Sequence, residues 1–228
     1  MIKFSLKKAL ILVIVFVLPG FLYYLLQEKG ENRYHPLPVF GPKKTASTFH
    51  TRRGRQIPDT IYHQINGFSL LNQKGDVIDF AADTSKISVV NFFYTRCGDN
   101  CDLILKEMAR QRDRFKENKL LRFVSISVDP ADGPGQLREA AARYGAEPPK
   151  WNFLSGDTAV VYTAAREGFL VNALKDSTKA ETFIYSPLII LVDPQKRIRG
   201  YYDPKVKKER DKLMDEIKVL IVEELRKQ

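Results

Sequence analysis

Two cysteines are all the thiol this 228-residue chain carries, and they stand together as Cys97-Gly98-Asp99-Asn100-Cys101. A small secreted domain stapled by disulfides uses more cysteines at wider spacing, so the pair reads as a site rather than a staple. Residues 87–94 before it form a continuous apolar and aromatic run, the pattern of a strand buried on both faces. Residues 102–117 after it place Leu103, Ile104, Met108 and Phe115 at helical spacing. The pair therefore lies where a buried strand gives way to a helix. Partial positive charge at a helix N-terminus favours the thiolate, the form that attacks disulfides or binds soft metals. Arg96 adds to that effect, whereas Asp99 and Asp102 oppose it. With Cys101 in the first helical turn, both sulfurs face one side within the reach of a disulfide. Cys97 is then the exposed nucleophile and Cys101 the more buried resolving thiol. Two core cysteines brought together by chance is the weaker reading, because such a junction exposes its first residue.

The elements that must hold this junction follow from patterning. Residues 68–78 read as two short strands around a turn at Gly75, and 121–128 as a second buried strand. A helix is predicted over 134–144, a short strand over 151–154, and a further helix from an Asp157 N-cap to about Glu167. Residues 188–192 make a third buried strand, which pairs with 197–202 through the turn Asp193-Pro194-Gln195-Lys196. An amphipathic helix over 205–227 closes the chain. Alternating strands and helices with a final antiparallel hairpin imply an α/β layered domain, here 61–228. Residues 28–60 are rich in Pro, Gly, Lys and Arg without periodicity and read as an extracytoplasmic tether.

Residues 1–27 read as a cytoplasmic start and a transmembrane anchor. Lys3, Lys7 and Lys8 precede a charge-free run over 9–26. Eighteen residues of helix rise about 27 Å at about 1.5 Å each, enough for contact with membrane lipid across a hydrocarbon core. A cleaved signal peptide would need a small-residue site after the run, and Tyr23-Tyr24-Leu25-Leu26-Gln27-Glu28 supplies none. The lysines stay inside, which puts the rest of the chain outside, in an oxidising compartment. Charged residues at 28% and hydrophobic ones at 44% exclude wholesale disorder and a multi-span membrane protein. The net charge of +10 is interleaved with acids and lacks a nucleic-acid motif, so no nucleic-acid partner is expected.

Several motifs in order carry a family resemblance. Asn91-Phe92-Phe93-Tyr94-Thr95-Arg96-Cys97 with Cys101, Ser127-Val128-Asp129-Pro130, Tyr144-Gly145 before Trp151, and Leu191-Val192-Asp193-Pro194 resemble the Sco/SenC family from about Ile61 to the C-terminus. The resemblance implies a thioredoxin-like fold, a central mixed sheet flanked by helices, behind an N-terminal transmembrane helix. It also implies a role at the copper site of cytochrome c oxidase, as copper carrier or as reductant, and the anchor and tether resemble bacterial members. The inner membrane of a bacterium, with the globular domain on the periplasmic side, is the implied location.

The chain departs from the family where the metal would sit. The family binds copper through the two cysteines and one histidine, and counting back nine residues from Pro194 puts Tyr185 in the histidine's place. His35, His50 and His63 all precede the cysteines, and a phenol is a poor ligand for copper(I). Asp102 also replaces the family's proline after the second cysteine. Pro187 stands where thioredoxin-like reductases carry a cis-proline facing their cysteines; Ser186-Pro187 is then cis, or else a trans bond at a strand entrance.

Disulfide exchange on a partner protein's cysteines, with Cys97, Cys101 and Pro187 as catalytic residues and no cofactor, is the leading reading. The partner implied is a cytochrome c oxidase subunit or another extracytoplasmic protein. The alternatives are copper(I) held by Cys97 and Cys101, with His63 as a conceivable third ligand, and a redox sensor or assembly scaffold without turnover. A peroxidase of this fold would carry Thr or Ser three residues before its cysteine, where Tyr94 stands.

Overall fold

The computed structural model describes residues 6–29, 36–52, 54–175 and 183–227. The chain divides into two compact units, Met1–His35 and Pro36–Gln228. The first holds one helix, α1 (Leu6–Lys29), with Pro19 inside it. Its side chains over 13–24 are exposed and largely apolar. Among the described residues no helix is long and apolar enough to cross a membrane. The span expected over 9–26 lies partly outside the residues whose side chains are described.

The second unit opens with a hairpin: β1 (Lys43–Arg52) pairs antiparallel with β2 (Arg55–Tyr62). The stretch 28–60, read from sequence as a tether, thus contains regular structure. Thr45, Thr48, Phe49, Thr51, Ile57 and Thr60 supply strand formers, and Pro58 is tolerated because each strand has a free edge. β2 is exposed along almost its whole length, so it lacks the alternation that betrays a half-buried strand.

The body is a seven-stranded mixed sheet. In chain order its parts are β3 (Ser69–Asn72), β4 (Val77–Asp79), β5 (Ile87–Phe93), α2 (Asp99–Arg114), β6 (Leu121–Ser127), α3 (Pro134–Arg143) and β7 (Trp151–Ser155). There follow α4 (Thr158–Thr163), which runs into a π-helical turn (Ala164–Gly168), and a separate hairpin of β8 (Ala173–Lys175) and β9 (Phe183–Tyr185). β10 (Ile189–Val192), β11 (Ile198–Tyr202) and α5 (Lys207–Leu225) complete it. The strand order is β11-β10-β5-β6-β7-β3-β4; β5, β6 and β7 run parallel, and the outer pairs are antiparallel.

Both faces of this sheet are covered, which is why β5 and β6 are apolar without alternation. On one face Val89, Phe93, Phe123 and Leu191 pack with Ile104 and Met108 of α2, Leu137 of α3 and Leu213 and Ile217 of α5. On the other, Val90, Phe92, Val124 and Ile190 pack with Val161, Ala165 and Phe169, whose ring meets Phe68, Phe80 and Phe92 edge-on. Each such side chain contributes about 1.5–3 kcal/mol by leaving water.

The body begins at Pro36 rather than at residue 61. Leu37 is buried, and its N–H donates to Glu223 of α5 at 2.5 Å. Arg199 of β11 donates to the carbonyls of Leu37 (2.6 Å) and Pro38 (3.1 Å) while paired with Asp193 (3.2 Å) and Glu223 (2.7 Å).

Candidate functional site

β5 ends at Phe93, deep in the sheet, and the chain turns through Tyr94-Thr95-Arg96 to deliver Cys97. Gly98 caps α2 with φ 66° and ψ −145°, a left-handed φ that favours glycine. Helix α2 begins at Asp99, three residues earlier than predicted, so Cys101 is its third residue. The Gly98 carbonyl accepts from Cys101 and Asp102 N–H, both at 3.2 Å. Cys97 and Cys101 are joined in a disulfide across a Cα separation of 5.8 Å. Cys101 is buried at 4% exposure and Cys97 only partly so.

The turn before Cys97 is held from the neighbouring strand. Asp132, buried beyond the end of β6, accepts from Thr95 N–H (2.8 Å), the Thr95 hydroxyl (2.5 Å) and the Ser127 hydroxyl (2.5 Å). Asp129, also buried, accepts from the Arg96 guanidinium at 2.7 Å. Arg96 is thus engaged by a carboxylate, and the help it offers a thiolate is smaller than its charge suggests. Sequence analysis names Asp129 only within the motif Ser127-Val128-Asp129-Pro130, and it misses Asp132. The signal that could have found it is two acids three apart just past the strand parallel to the cysteine strand.

Tyr185 comes from the β8–β9 hairpin, which sequence patterning does not reveal. Its hydroxyl lies 3.0 Å from Cys101 Sγ and 3.9 Å from Cys97 Sγ. Burial, with Tyr94 nearby, pushes the phenol up to about 12, so it keeps its proton and can donate. Tyr94 stands edge-on to it, with ring centroids 6.0 Å apart. Pro187 follows in the link to β10. Among the described residues the cis peptide is Pro148–Pro149, so Ser186–Pro187 is trans and the cis alternative is corrected. The group set against the sulfurs is Tyr185, two residues earlier.

The helix end carries fixed negative charge. Asp102 pairs with Lys106 (2.6 Å) and accepts from the Tyr144 hydroxyl (3.0 Å). The Lys106 hydrogen bond leads in holding its carboxyl below the usual range. The two described histidines are occupied elsewhere: His63 Nε2 meets the Gly168 carbonyl at 2.7 Å and His50 Nδ1 meets Asp59 at 2.7 Å; His35 lies outside the described residues. Among the described residues no group of three or more His, Cys, Asp or Glu could hold a metal ion. A copper cargo would find two sulfurs and a protonated phenol, a set that does not complete a three-donor site for a soft ion.

A mixed sheet whose central strand delivers a cysteine pair to the first turn of a covering helix defines a thioredoxin-like thiol protein. The chain belongs to the SCO1/SenC family, which matches residues 59–221. It is 26% identical over 172 residues to the SCO1 protein homolog of Bacillus subtilis (strain 168), covering 72% of this chain and 86% of that one. Among solved structures it resembles BsSco, a member of the Sco family of cytochrome c oxidase assembly proteins, in which a disulfide switch was identified. The identity there is 24% and the TM-score 0.61, over 69% of this chain and 93% of that one. It also resembles Arabidopsis thaliana ScoI with copper bound, at 25% identity and a TM-score of 0.56, over 72% of this chain and 98% of that one.

Proposed function

We propose that this chain is a membrane-anchored, extracytoplasmic thiol–disulfide oxidoreductase of the Sco type, acting on a partner protein's cysteines during cytochrome c oxidase assembly. The observation that carries the reading is the Tyr185 hydroxyl, 3.0 Å from Cys101 Sγ, in a residue that the sequence resemblance puts in place of the family's copper histidine. In the reduced protein the Cys97 thiolate attacks a partner disulfide, forming a mixed disulfide and releasing one partner thiolate. Cys101 then attacks Cys97 Sγ, the second partner thiolate leaves, and the Cys97–Cys101 disulfide forms. Two electrons have passed to the partner, and a dithiol protein on the same side of the membrane must return them. Tyr185 donates a hydrogen bond to whichever sulfur of the pair carries negative charge.

Support for the anchor is the charge-free run over 9–26 behind three lysines and its helical conformation in α1. The test uses the full chain, reduced, in detergent. It should reduce a peptide disulfide; Cys97→Ser should abolish this, and Cys101→Ser should accumulate the mixed disulfide. Turnover by Cys97→Ser as fast as the wild type would sink the reading.

A second reading, copper(I) carriage by the two thiolates, is favoured by the copper-bound Arabidopsis thaliana relative. An anaerobic copper(I) competition titration decides it. Tight binding lost in Cys97→Ser supports carriage; weak binding that Tyr185→His tightens supports exchange.

A further inference from the structure

A cleft of about 790 Å³ leads from Gly98 and Cys101, next to Cys97 in the chain, along α2. Cys101, Leu105 and Ala109, four apart, follow one line of the helix into it, and Ala140, Arg143 and Tyr144 at the end of α3 form the opposite side. Arg112 fastens the two sides, donating to the Gly145 and Tyr144 carbonyls. Gly98 leaves the disulfide end open: a Cβ placed there would meet nothing within 4 Å.

The cleft is lined by Lys106, Arg110, Arg112 and Arg143 against Asp102 and Asp113. Asp102 is taken by Lys106 and Asp113 by Arg112. Arg110 has only a 3.4 Å contact with Glu107 and is about half exposed, and Arg143 has no ion pair among the described residues. The lining therefore carries four basic groups against two acids, with Arg143 unpaired among the described residues and the half-exposed Arg110 shared with Glu107. An apolar ligand does not suit such walls, and a second copy of a chain of net charge +10 is repelled.

We infer that this cleft docks an extended, acidic segment of the partner protein, the segment that carries the cysteines to be exchanged. The inference rests on the disulfide-exchange reading for what happens to those cysteines, so docking is measured apart from chemistry. The probe is a short fluorescent peptide rich in Glu with Ser in place of its cysteines, beside a Lys-rich counterpart, titrated into the full chain in neutral detergent. The acidic peptide should bind about tenfold or more tightly than the basic one at low salt, a gap that added salt narrows. Arg110→Glu with Arg143→Glu should erase the preference, and Arg110→Lys with Arg143→Lys should keep it, which separates charge from misfolding. Equal binding of the two peptides, or a preference that survives double charge reversal, would overturn the proposal. A preference that behaves as expected, with no reduction of the cysteine form of either peptide, would retain the docking cleft and reject exchange as its purpose.

Discussion

Tyr185 sets a protonated phenol against two sulfurs, and the chemical consequence lies in the reduced state. Hydrogen bonding to the charged form of a group favours that form. Tyr185→Phe should therefore move the pH–rate profile of the resolving step to higher pH and slow it near neutrality, while leaving the first attack by Cys97 less affected. Stopped-flow kinetics of mixed-disulfide decay checks this, and an unchanged profile would make Tyr185 a space-filler. Asp132 is the second residue with a testable role. Asp132→Ala strips an acceptor from Thr95 and Ser127, leaving buried donors unmet at about 1–3 kcal/mol, which chemical denaturation would register. The cysteine pair was legible in the sequence because type, spacing and the strand-to-helix junction all pointed to one place. Asp132 was not, since its partners lie 37 and 5 residues away and meet only once β5 and β6 pair. Pro187 was a position carried over by counting, and counting fixes neither the isomer of a bond nor which neighbour faces the sulfurs.

At the scale of elements, the junction from β5 to α2 depends on Gly98. A Cβ there has room, so the cost of Gly98→Ala is backbone strain alone, about 1–3 kcal/mol for a positive φ with extended ψ. Thermal unfolding should show that loss with the disulfide intact; no loss would mean that the turn adopts another conformation. The buried strands and covering helices were readable because burial on both faces writes long apolar runs. The two hairpins were not. β2 shows no face to a core, and β8 and β9 are three residues each, too short for any period to emerge.

For the whole molecule, pH acts through a buried lysine. Burial, with Arg122 beside it, pushes Lys196 down from 10.5 to about 8. Between those values the unfolded chain binds more protons than the folded one, so this group makes stability rise as pH climbs through that window. Urea denaturation of wild type and Lys196→Met from pH 7 to about 10 should show a steeper rise in the wild type; parallel curves would remove the lysine from the account. The clamp on Leu37 and Pro38 bears on where the molecule can be trimmed. A version cut at residue 61 deprives the Arg199 guanidinium of two carbonyl acceptors, at about 1.5–3 kcal/mol for each bond to a charged group. A version cut at Pro36 keeps both. Tension on the N-terminal segment accordingly enters the body at Leu37 and Pro38, where the Arg199 guanidinium and the Glu223 carboxylate pass it to β11 and α5.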